Sequence, residues 1–161
     1  KTAGVPKGSF YHYFKSKEDF GLAVIDVFDN QHRGKLNLIL TNTDLSPLER
    51  IRTYFQNEKQ NLIAADFVKG CLAGNLGQEL SAQNERFRMR IQEIFASWQK
   101  IFADCLNEAV QAGELSNTTD TKATAVFLLS GWEGAVLYAK VEKSAAPLDT
   151  FISLLEEKLF K

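Results

Sequence analysis

The side chains whose types and spacing best suit chemistry lie in the first seventeen residues. Lys7, Gly8, Ser9, Tyr11, His12, Tyr13 and Lys17 surround Phe10 and Phe14, two rings four residues apart. On a helix that spacing puts both rings on one face, where they can anchor a short helix to a core. Lys7, Ser9, Tyr11 and His12 then face outward, small at the start and hydrogen-bonding beyond it. Such a helix suits end-on entry into the major groove of DNA, its N-terminal residues at base edges. Lys1, Lys7, Lys15 and Lys17, with no carboxylate among them, give residues 1–17 a charge of +4, which leaves −5 for residues 18–161 of a net −1. A basic, aromatic-rich head on an acidic body directs only the head to a polyanion. A basic terminus with no partner is the alternative that charge leaves open.

The remaining reactive groups are few. Cys71 and Cys105, 34 residues apart, make neither a disulfide framework nor a zinc site. His12 and His32 have no metal-ligand spacing to a carboxylate or a cysteine, so neither metal nor cofactor is expected. No nucleophile, base and orienting group fall in a recognisable pattern, which argues against an enzyme. Cys71 still stands out, because Val68-Lys69-Gly70-Cys71-Leu72 places it at the start of a short helix beside a lysine. Helix-terminal N–H groups and a nearby cation both favour the thiolate; a buried structural thiol is the competing reading. Cys105 falls on an apolar stripe and reads as core.

The elements that must carry these groups are all helical. Ser46-Pro47-Leu48-Glu49 supplies an N-cap, a first-turn proline and a capping-box glutamate, and Ser16-Lys17-Glu18-Asp19 reads as another start. Phe87, Ile91, Ile94, Trp98, Ile101, Cys105 and Ala109 recur at helical spacing up to a stop at Gly113. The pattern predicts helices at about 7–14, 17–40, 47–65, 71–81, 84–112, 120–142 and 147–160, with no strand. The polar turn Thr41-Asn42-Thr43-Asp44 divides a DNA-reading part, residues 1–43, from a second helical domain, residues 44–161. With 45% apolar residues there is ample material for a core. No apolar run reaches membrane-spanning length and the start does not read as a signal peptide, so no membrane partner and a cytoplasmic setting are expected.

Two faces of the body invite partners. Tyr54, Phe55, Phe67, Asn75, Trp98 and Phe102, with Cys71 at the edge, suit an apolar small-molecule cavity with few polar handles; ordinary core packing competes for each. Helix 120–142 is apolar over most of its circumference. Gly131 and Gly134 inside it suggest close packing of another helix. With Leu148, Ile152, Leu155 and Leu159 it can form half of a two-fold four-helix interface, or an internal core.

The string from Gly4 through Phe14, followed by Lys15-Ser16-Lys17-Glu18, resembles the turn, recognition helix and next helix start of the tetracycline-repressor (TetR/AcrR) family of regulators. The resemblance implies a helix-turn-helix domain, a larger ligand-binding helical domain, and a homodimer formed through the last two long helices. It also implies a first helix and most of a second ahead of Lys1. Carried over by position, Lys7, Gly8, Ser9 and His12 would meet base edges or nearby backbone, and Tyr11, Tyr13 and Lys17 would meet phosphates. Operator DNA and a small-molecule effector are the implied partners. Gly70-Cys71-Leu72, together with Ala139 to Ser144 and Pro147-Leu148, resembles the branch containing the N-ethylmaleimide-reductase repressor, whose members respond to electrophiles and oxidants. That branch implies Cys71 as a sensor, and Lys140 is the expected nitrogen partner for its oxidised sulfur if helix 120–142 brings its amine across the cavity.

Overall fold

A computed structural model describes residues 7–160, with side chains from Phe10 onward. Among the described residues there are seven α-helices and no strand. They are α1 (Lys7–Tyr13), α2 (Lys17–Leu40), α3 (Pro47–Ala64), α4 (Leu72–Leu80), α5 (Glu85–Gln111), α6 (Thr121–Glu142) and α7 (Ala146–Leu154), and α7 runs into a π-helical turn at Leu155–Leu159. The starts follow local chemistry. Ser16 Oγ accepts from the Asp19 N–H, the Glu49 carboxylate accepts from the Ser46 N–H at 2.9 Å, and Asn84 and Asp120 cap α5 and α6.

Helix α5 is the hub, packing against α2, α3, α4 and α6, while α7 packs on α6 and α3. The centre is aromatic: Phe55 stacks on Phe102 at 5.6 Å and meets Trp132 and Phe151 at 5.0 and 5.1 Å. Two charged side chains are buried with them, Asp29 and Arg50. Arg50 donates to Leu40 O, Leu45 O and Glu108, pinning the turn after α2 to α3 and α5. Asp29 accepts from the Trp98 indole at 2.9 Å and from Arg90 at 3.1 Å. Arg90 also bonds Asp26, and Arg86 bonds Glu18 and Asp19. Together these contacts clamp the N-terminal half of α5 along α2.

Of the expected dimer residues, most take the internal-core alternative in this packing. Leu148, Ile152 and Leu155 are buried within the single chain, and a Cβ at Gly131 would fall 2.8 Å from the Phe151 ring of the same chain. They close α7 onto α6 within the chain. Gly134 lies on another side of α6, with no side chain over it. The outward stripe of α6 is Phe127, Leu137, Tyr138 and Val141, from 40% to 76% exposed. No helix among the described residues is long and apolar enough to cross a membrane.

Candidate functional site

Helix α1 is held by rings. Phe10, Phe14 and Phe20 meet pairwise at 5.0 to 5.6 Å, knitting α1 to the first turn of α2. Tyr11 and Tyr13 are 67% and 74% exposed, and His12 is exposed beside Tyr13, their ring centres 5.2 Å apart. Lys17 is exposed in the first turn of α2. The side chains of Lys7, Gly8 and Ser9 lie outside the described residues.

Between α2, α3, α5 and α6 lies a cavity of about 440 Å³. Its floor is Trp98, Trp132, Leu129 and Val136, and α2 contributes Phe28, His32 and Lys35. Exposed Lys35, Asn61 and Lys69 mark the mouth. Tyr54, Cys71 and Trp98 of the expected set line this space. Phe55 and Phe102 do not: they stack on each other in the core behind it, both wholly buried. Phe67 is half-buried in the turn after α3, where it and Asp66 take left-handed backbone with φ of 53° and 49°. Asn75 points out of α4 and accepts from Lys140 Nζ at 3.2 Å. Periodicity put the right helices around the cavity but could not say which ring of each faced it.

Sequence reasoning missed His32, Glu58 and Glu133. His32 lies flat against Phe28 and close to Trp98, at 5.8 and 4.2 Å between ring centres, and its Nε2 is 3.2 Å from the Tyr54 hydroxyl. Burial, reinforced by Lys35, lowers its pKa to about 4, so the ring is neutral at physiological pH. Burial pushes the Tyr54 phenol upward, helped by Glu58, Cys71 and Glu133. The cavity therefore offers the neutral His32 ring and Tyr54 hydroxyl together with the carboxyl groups of Glu58 and Glu133, and ammonium groups at the rim. A lone histidine, an acid inside an apolar helix and one acid among several polar residues of α3 carry no spacing signal that would have marked them.

Cys71 is the N-cap of α4, its sulfur accepting from the Gly74 N–H at 3.3 Å. The expected lowered thiol pKa is overturned. Burial raises it far above the ordinary thiol value, the nearby Glu133 carboxylate adds to that, and the amides of Gly74 and Ala73 only partly offset them. Burial also raises the Glu133 carboxyl. Lys140, the expected nitrogen partner, lies over Gly70 and bonds Asn75, so Glu133 is the group of α6 that meets the thiol. Cys105 is buried and directed at Pro47 O, 3.3 Å away.

A short helix packed by aromatic rings on the start of a long one, carried by a helical body with a cavity, is the arrangement to set beside known proteins. The family model for bacterial regulatory proteins of the tetR family matches residues 1–24, and the tetracyclin repressor-like C-terminal domain matches residues 47–155. The chain belongs to the TetR family of transcriptional regulators, which are not enzymes. The transcriptional regulator AcuR of Cereibacter sphaeroides is 42% identical over 151 residues, 94% of this chain and 69% of its own. The HTH-type transcriptional repressor NemR of Escherichia coli (strain K12) is 29% identical over 153 residues, 95% of this chain and 77% of its own. The crystal structure of a regulatory protein TetR from Rhodobacter sphaeroides superposes with a TM-score of 0.91 at 39% identity, covering 96% of this chain and 82% of that one.

Proposed function

We propose that this chain is a transcriptional repressor that binds operator DNA as a homodimer through α1 and leaves it when a small-molecule effector fills the cavity. The observation that carries this reading is the shared helix: only three residues separate α1 from α2, and α2 supplies Phe28, His32 and Lys35 to the cavity wall. An effector that moves α2 moves the reading helix with it, and a small shift in each protomer re-spaces two DNA heads. In this reading residues 1–43 form the DNA-reading part and residues 44–161 bind effector and partner, in the cytoplasm. Lys7, Gly8, Ser9 and His12 face base edges, and Tyr11, Tyr13 and Lys17 hold phosphates. The outward stripe of α6, Phe127, Gly134, Leu137, Tyr138 and Val141, is the dimer face, since its apolar side chains have no cover within the chain.

The effector is a small organic molecule, and an electrophile would meet the Cys71 thiol in the cavity wall. Fluorescence anisotropy with operator DNA, recovered by selection from random sequences, tests the reading. Binding by the protein should be lost on treatment with N-ethylmaleimide. Cys71→Ser should bind DNA and resist release, and Cys105→Ser should behave as the parent. Release of Cys71→Ser by the same treatment would leave a non-covalent ligand as the effector.

A further inference from the structure

Glu133 lines two spaces at once: the 440 Å³ cavity, and a second of about 310 Å³ bounded by Gly74, Gly77, Phe95, Gln99 and Leu129. Its carboxylate occupies the space that a side chain at Gly74 would need, since a Cβ there would collide with Oε2. Gly74 thus admits the carboxylate into the first turn of α4, on the side where the Cys71 side chain also lies. Burial and the Glu133 charge both disfavour the Cys71 thiolate, so alkylation through the free thiolate is slow. A base beside the thiol supplies another route, and a carboxylate whose pKa burial has raised is better matched to that task than an exposed one.

We propose that Glu133 is the general base of a two-residue covalent sensor, accepting the Cys71 proton as the sulfur adds to an α,β-unsaturated carbonyl compound. This rests on the reading of Cys71 as an electrophile sensor. In the step, the S–C bond forms at the β-carbon while the S–H proton passes to the Glu133 carboxylate. The C=C π pair moves onto the carbonyl oxygen, giving an enolate within a cavity that also holds the Tyr54 hydroxyl and, at its rim, Lys69. Glu133 then returns the proton to the α-carbon, leaving a neutral thioether and a regenerated carboxylate. Nothing is oxidised and no further reactant is needed.

The sign of one substitution separates this role from a passive one. As a mere neighbour, the Glu133 charge suppresses the thiolate, so removing it should speed alkylation; as the base, its removal should slow it. The experiment follows N-ethylmaleimide adduct formation at Cys71 by intact-protein mass spectrometry, in a Cys105→Ser background. Glu133→Gln should react about 100-fold more slowly than its parent, the scale of a lost general base. Gly74→Ala, which keeps the charge but displaces it from the thiol, should be slowed by at least roughly tenfold. An equal or faster rate in a folded Glu133→Gln, or an unchanged rate in Gly74→Ala, would overturn the base role while leaving the repressor reading intact. A parent chain whose Cys71 takes no adduct would overturn the base role and the electrophile reading together.

Discussion

His32 shows how a single side chain joins the cavity to stability. Its folded pKa of about 4 lies below the ordinary 6.5 because burial, then Lys35, opposes the charge, while Asp29 acts the other way. Above pH 6.5 the ring is neutral in both folded and unfolded chains. As pH falls toward 4 only the unfolded chain takes up the proton, so stability is lost across that window. The full effect is about 3 kcal/mol, at 1.36 kcal/mol per unit. His32→Gln, which keeps a hydrogen-bond partner for Tyr54, should flatten the fall in melting temperature between pH 6.5 and 4; an unchanged acid limb would show that other groups cause it. None of this was legible in the sequence, because Tyr54 and Trp98 reach His32 from distant helices. Cys71 was legible as a helix-start thiol, but its pKa was misread, since Glu133 and the thiol's partial burial belong to the tertiary fold.

At the scale of elements, caps and periodicity carried most of the information. Ser16 and Asn84 mark helix starts with their own side chains and Ser46 does so through the Glu49 carboxylate, so α2, α3 and α5 stand where those residues put them. The expected single helix over 147–160 differs at its end. Beyond Leu154 the turn widens, with Phe160 N–H bonding Leu155 O, and this brings Phe160 against Arg52, 5.5 Å from its ring centre. What the pattern of α6 could not show was its facing, because a helix apolar on nearly every side gives no stripe to orient it. Between α2 and α5 the decisive link is Asp29. Asp29→Ala leaves the buried Trp98 indole N–H unpaired and removes one acceptor of Arg90, and should destabilise the fold by about 3 kcal/mol in urea unfolding. A loss below a few tenths of a kcal/mol would mean that α2 is held to α5 by apolar packing alone.

At the scale of the molecule, exposure separates the inside of α6 and α7 from the outside. Phe127 and Val141 are 58% and 76% exposed, whereas Leu148 is wholly buried. The double variant Phe127→Asp with Val141→Asp should therefore keep its helical circular dichroism and sediment as a monomer. Leu148→Asp should instead fail to fold, because it places an unpaired charge in the core. A double variant that still sediments as a dimer would move the interface elsewhere. The central claim is that the exposed face of α1 and the start of α2 read DNA, and salt-dependent operator binding tests it most directly. The parent dimer should show a steep linear fall of log affinity with log salt. Lys17→Ala should lower that slope by about 2, one phosphate contact per protomer, whatever the sequence. His12→Ala should keep the slope and lose roughly 1–3 kcal/mol of discrimination at one base position. A flat salt dependence, or the same loss from both variants on every DNA sequence, would contradict the account.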